Sequence, residues 1–140
     1  MTTQNRIKLE NILKDRFKND KHTTISSLPQ PDSFKDMNKA TKRVIEAINK
    51  DETITIVGDY DVDGVVSTTI MVEFFNKIGK RVKWIVPNRF KHGYGLSQKI
   101  AQKIDDGLVI TVDNGITAYE TALILKKKNI DLIITEGFCS

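Results

Sequence analysis

The sequence predicts an α/β domain built on an open, mostly parallel sheet with helices on both faces, preceded by N-terminal helices. Three observations carry this. Four short runs rich in β-branched and apolar residues have the length of buried strands: Thr53–Val57, Arg81–Val86, Leu108–Val112 and Leu132–Thr135. A polar, glycine-bearing loop follows each of the first three, and then comes a helical pattern. Strands separated by helices need crossover connections, and crossovers make neighbouring strands parallel.

The elements follow in order. Ile7, Ile12, Leu13 and Phe17 mark a short amphipathic helix, and the polar, proline-containing stretch NDKHTTISSLPQPDS after it reads as a linker. Residues 1–35 are therefore expected to be an appendage and 36–140 the domain proper. Met37, Ala40, Val44, Ala47 and Ile48 form a helical stripe, with Asp36 as its expected N-cap. The first strand leads to GDYDVDG and then to a helix through Thr68, Met71, Val72, Phe75 and Ile78, which Gly79 ends. Further helices are expected over Ser97–Asp105 and Ala118–Asn129. Trp84 and Phe74 fall within strand and helix patterns and are expected in the core. Lys126, Lys127 and Lys128 sit near a helix C-terminus, where the dipole favours cations.

With 140 residues the chain has the size of one domain. Its 39% hydrophobic and 29% charged residues are those of an ordinary globular protein. Twenty-two Lys and Arg against eighteen Asp and Glu give a charge of +4, a mild lean toward anionic partners such as nucleic acid or phosphate esters. The single cysteine, Cys139, allows no internal disulfide and suits a reducing compartment. The opening MTTQNRIKLE has no apolar run of signal-peptide length, and no stretch reaches membrane-spanning length, so a cytoplasmic protein is expected.

In an open parallel sheet, function gathers where the loops leave the carboxyl ends of the strands. Those loops are GDYDVDG, PNRFKHGYG, DNGIT and EGFCS. Asp59, Asp61 and Asp63 alternate in the first, and carboxylates this close repel unless a cation sits among them. An EF-hand fails, because position twelve would be Ile70 and the preceding segment is a strand. DVDG also resembles the DxDG signature of haloacid-dehalogenase-type phosphatases, with Asp61 as nucleophile and Asp63 as acid/base. Against that, Gly58, Asp59 and Tyr60 stand between the strand and the nucleophile, and Val65 replaces the usual Thr. Two-metal phosphoryl chemistry instead needs a carboxylate from a second strand end, and Asp113 supplies one.

The loop PNRFKHGYG carries Arg89, Lys91, His92 and Tyr94 between a proline and two glycines. A mobile segment with cations and an aromatic ring beside a metal crevice suits phosphates and an unstacked base. As a plain solvated loop, it would have Gly95 serving the turn and Ser97 capping the next helix.

GDYDVDGVVST, PNRFKHGYGLS, and VITVDNGIT followed by a helix and DLIIT, taken in order and spacing, resemble the motifs of the RecJ-type single-stranded-DNA exonucleases of the DHH phosphoesterase superfamily. The resemblance runs from about Asp36 to Thr135. It implies a catalytic set of Asp59, Asp61, Asp63 and Asp113, in which Asp59 and Asp61 bind metal and Asp113 is shared between metals. It also implies two Mn²⁺ or Mg²⁺ ions and hydrolysis of single-stranded DNA from the 5′ end in repair and recombination. Arg89, Lys91, His92, Tyr94, Asn114 and Gly115 would contact substrate, and other repair proteins are candidate partners. The superfamily's Asp-His-His follows the fourth strand, where this chain reads Glu136-Gly137-Phe138. An incomplete DHH domain is therefore expected: a truncated N-terminal piece, inactive by itself. The alternatives are a haloacid-dehalogenase-like phosphatase and a non-catalytic fragment that binds metal or nucleic acid. The fourth strand would then be an open edge, with Ile133 and Ile134 inviting aggregation or pairing.

Overall fold

The computed structural model describes residues 3–19 and 24–136. The chain divides into two compact units, Met1–Met37 and Asn38–Ser140. In the first, helix α1 (Thr3–Phe17) is followed by two 3₁₀ turns, Ile25–Ser27 and Pro31–Ser33. Ile7, Ile12, Leu13 and Phe17, the apolar stripe expected of α1, are all exposed. Asp36 has a positive φ of 57°, not the extended backbone of an N-cap, so the cap expected there is not formed.

Helix α2 (Met37–Asn49) leads into the second unit, whose elements are β1 (Ile54–Val57), α3 (Val62–Lys77), β2 (Lys83–Ile85), α4 (Arg89–His92), α5 (Gln98–Gln102), β3 (Leu108–Val112), α6 (Tyr119–Lys127) and β4 (Asp131–Thr135). The four strands form one sheet in the order β2-β1-β3-β4. Every pairing is parallel; Ile56, for example, lies in register with Trp84 on one side and Ile110 on the other. Alternate residues of the two central strands feed two cores. Ile54, Ile56, Leu108, Ile110 and Val112 pack with Ala47 of α2 and Phe75 of α3. Val57 and Val109 pack with Leu96, Ile100, Ala101 and Leu125 on the side of α5 and α6. Burying an aliphatic side chain of this kind stabilises the fold by roughly 1.5–3 kcal/mol, so the two cores bind helices to both faces.

Two residues expected in the core are not there. Phe74 is 51% exposed and Trp84 60% exposed. Helix α3 turns Gly64, Thr68 and Phe75 inward, which sends Val62, Val66, Ile70 and Phe74 outward at intervals of four. Trp84 sits on β2, an edge strand with a neighbour on one side only, and keeps an open flank. Ile78, also expected on the inward stripe, is exposed at the end of α3.

Lys128 has a sharper role than its place at the end of α6 implies. Its Nζ donates to the carbonyls of Ala101, Gln102 and Ile104 at 3.3, 2.8 and 2.7 Å, closing the carboxyl end of α5. No helix among the described residues is long and apolar enough to cross a membrane. Gly137, Phe138 and Cys139, with the expectations attached to them, lie outside the described residues.

Candidate functional site

The carboxyl ends of β1 and β3, the two buried central strands, bring the acidic residues to one edge. Asp59 follows β1 after Gly58 and is 1% exposed, and its Oδ1 is buried with no hydrogen-bond partner. A buried carboxylate oxygen without a donor is costly, and a cation is the usual remedy. Gly64 makes this placement possible: a Cβ there would lie 2.6 Å from the backbone nitrogen and oxygen of Asp59. Only glycine lets α3 begin so close to the strand end.

Asp61 is the N-cap of α3, its carboxylate accepting the Gly64 amide at 2.9 Å. Asp63 lies exposed in the first helical turn, where the helix dipole favours a negative charge. Asp113 leaves β3 with a positive φ of 59°, and its amide bonds the Thr135 carbonyl at 2.9 Å. Burial, and then the charges of Asp61, Asp63, Asp59 and Glu136, hold the Asp113 carboxyl above the usual carboxylate range. These groups therefore share one electrostatic field. They do not converge on a finished cage: among the described residues no group of three or more His, Cys, Asp and Glu side chains is placed to hold a metal ion. The donor chemistry fits a divalent cation at Asp59, while the complete ligand set is not assembled.

The segment expected to be a mobile loop contains the single helical turn α4. Asn88 caps it, its side-chain oxygen accepting the Phe90 and Lys91 amides at 3.1 and 3.2 Å. His92 is drawn into the same turn, its Nδ1 accepting the Asn88 amide at 3.1 Å. Arg89 and Lys91 are exposed, and Phe90, next to Arg89, is 95% exposed. Tyr94 reaches back toward the acidic edge. Its hydroxyl is held above the usual phenol range by burial and by the charges of Asp59, Glu136, Asp113 and Asp61. Ser97 stands at the start of α5, but its hydroxyl makes no capping bond, and the helix is only five residues long.

Asn114, a substrate contact by sequence expectation, does other work in the structure. It is fully buried, its amide donating to the Val57 and Val112 carbonyls at 3.0 and 2.8 Å and its oxygen accepting the Leu96 amide at 3.0 Å. One side chain thereby ties the ends of β1 and β3 to the basic segment. Both of its N–H donors are spent on backbone carbonyls, and its oxygen holds a backbone amide. Gly95, at φ 49°, passes so close to Asn114 that a Cβ would meet its Oδ1 at 2.7 Å. Gly115 is buried as well and offers the tight turn that starts the approach to α6 rather than an exposed contact. Glu136 accepts the Ile116 amide at 2.6 Å and props the same turn from β4.

Tyr60 is a functional candidate that the sequence reading misses. Its ring stands edge-on to Tyr94, centroids 6.3 Å apart at 89°, and the Arg89 guanidinium lies 5.7 Å from its centroid. The available signal is an aromatic residue between two aspartates in a strand-end loop.

A model of the DHH family, N-terminal domain, matches residues 53–136. The chain is 39% identical over 118 residues to the single-stranded-DNA-specific exonuclease RecJ of Bacillus subtilis, covering 82% of this chain and 15% of that protein. It is 37% identical over 117 residues to the RecJ of Haemophilus influenzae, covering 81% of this chain and 20% of the other. A crystal structure of exonuclease RecJ bound to manganese superposes with a TM-score of 0.70 at 30% identity, covering 78% of this chain and 28% of that one. RecJ of Thermus thermophilus in complex with Mn²⁺ superposes with a TM-score of 0.62 at 28% identity, covering 85% of this chain and 16% of that one. The chain thus spans between 15% and 20% of the length of these curated relatives.

Proposed function

Since the chain belongs to the DHH family, we propose that its acidic edge serves hydrolysis of phosphodiesters in single-stranded DNA from the 5′ end, as part of a Mn²⁺- or Mg²⁺-dependent exonuclease. The observation that carries this reading is Asp59, a buried carboxylate with one oxygen unpartnered, at an edge that also holds Asp61, Asp63 and Asp113. Asp59, Asp61 and Asp113 would hold the metal. A bound divalent ion supplies positive charge against the developing charge of phosphoryl transfer.

The chain's own residues do the rest. Arg89 and Lys91 present cations to the phosphate backbone, and Tyr94 offers a ring face for a base. Asn114 and Glu136 orient the loops through their hydrogen bonds to the Leu96 and Ile116 amides. Asp63, exposed on the first turn of α3, is the third member of the acidic motif. Membership in the DHH family sets aside the haloacid-dehalogenase alternative, in which Asp61 would be a nucleophile.

A second reading, a module that binds a divalent ion and nucleic acid without turnover, rests on the same unpartnered Asp59 oxygen and on the exposed cations Arg89 and Lys91. One experiment separates the two. Nucleotide release from 5′-labelled single-stranded DNA is measured with Mn²⁺, alongside Mn²⁺ binding by electron paramagnetic resonance. Release that Asp61→Ala abolishes supports the exonuclease. Saturable Mn²⁺ binding that Asp59→Asn removes, without release, supports the binding module. Failure to bind Mn²⁺ at millimolar concentration overturns both.

A further inference from the structure

Tyr60 is fixed by both of its neighbours. Asp59 is buried at the end of β1 under Gly64, and Asp61 is held as the N-cap of α3. The ring therefore projects from backbone that the core has already placed. The segment it meets is anchored far less firmly. Helix α4 has four residues, too few to stand on intrinsic helix stability. Its local supports are the Asn88 cap and the His92 bond back to Asn88. After it the chain passes through Gly93 and Gly95, both at positive φ, before Leu96 reaches Asn114.

Among the described residues no carboxylate pairs with Arg89, although the ring it approaches stands between Asp59 and Asp61 in the chain. It rests instead by the Tyr60 ring, 5.7 Å from the centroid. A ring face attracts a guanidinium without consuming its N–H groups. The edge-on contact of Tyr60 with Tyr94 fixes the far end of the same segment.

We propose that Tyr60 is a positioning residue: its ring couples the acidic loop to the basic segment Asn88–Gly95, holding Arg89 in place with its N–H donors free for a phosphate. The phosphate part rests on the single-stranded-DNA reading above; the coupling part does not. The role requires the ring and not the hydroxyl, so Phe retains it and Leu, apolar but without a ring, loses it.

Two measurements on the full chain test this. In the first, amide hydrogen exchange at Lys91 and His92, both bonded back to Asn88, is followed in wild type, Tyr60→Phe and Tyr60→Leu. Exchange in Tyr60→Leu should quicken about two- to fivefold, the size of a lost exposed cation–π contact, while Tyr60→Phe stays near wild type. The same change on an Arg89→Met background should have a much smaller effect, because its partner is already gone. Exchange in the β3 amides serves as the folding reference and should stay the same. In the second, fluorescence anisotropy with a 5′-phosphorylated oligothymidine should show affinity falling about two- to fivefold in Tyr60→Leu and kept in Tyr60→Phe. Unchanged exchange at Lys91 and His92 in Tyr60→Leu overturns the proposal, as does an equal acceleration on the Arg89→Met background. Faster exchange in a protein that binds no oligothymidine keeps the coupling and overturns the DNA reading.

Discussion

The two ends of the sheet handle charge in opposite ways. At the amino-terminal end of the strands, opposite charges meet. Arg43 of α2 reaches Glu52 and Asp131, each at 2.6 Å, joining the helix to the entries of β1 and β4. Lys80 pairs with Asp51, and Thr53 donates to Asp106. Among the described side chains there, Nη1 of Arg43 alone is left buried without a partner. At the carboxyl-terminal end like charges gather, and a buried oxygen of Asp59 has no donor at all. Both ends rest on the same central strands, so the difference does not come from the scaffold. It separates an end arranged for stability from one held ready for a cation or an anionic ligand's counter-charge.

The largest break in that contrast is expected at Gly64, which carries α3 onto the acidic loop. Gly64→Val would drive a side chain into the Asp59 backbone and should cost at least about 4 kcal/mol, read by urea unfolding. Asn114→Ala should come next. It strands the Leu96 amide and two strand-end carbonyls in the interior, and a loss of about 3 kcal/mol is expected by the same measurement.

The two ends can then be set directly against each other. Arg43→Met should destabilise by about 1–2 kcal/mol, because half-buried Glu52 loses its partner while the more exposed Asp131 adds little. Asp59→Asn should move the other way, raising stability by about 1 kcal/mol in metal-free buffer because the unpaired buried charge is gone. If both substitutions destabilise equally, the contrast between the ends fails.

The smallest effect concerns pH. The Lys80 hydrogen bond and charge hold the Asp51 carboxyl below its usual range. A group depressed in the folded state adds stability above its unfolded pKa and loses it as pH falls through the folded value. The stability difference between wild type and Lys80→Met should therefore be present at neutral pH and vanish in acid. At the other end the sign reverses: the Asp113 carboxyl is raised, so its strain is greatest at neutral pH and eases on acidification.

How much of this is legible in the sequence varies with how local the cause is. Leu108–Val112 is legible to the residue, since a strand buried on both faces announces itself by composition alone. The edge strand β2 is shorter than the expected Arg81–Val86, at Lys83–Ile85, because pairing on one side sustains less of it. Helix α5 covers Gln98–Gln102 rather than Ser97–Asp105, and α4 lies unannounced inside a segment that reads as loop. A four-residue helix lacks the periodicity that would reveal it.

The site divides along the same line. The sequence by itself determined the alternation of strand and helix, the edge at which the acidic loops emerge, and the motifs shared with the DHH family, because each is written in consecutive residues. Packing between distant segments settled which aspartate is buried, that Asn114 braces the strand ends, that Tyr60 meets Arg89, and that Trp84 and Phe74 face outward. Those outcomes depend on residues from separate loops meeting in space, and on which neighbour covers each face. No local pattern encodes either.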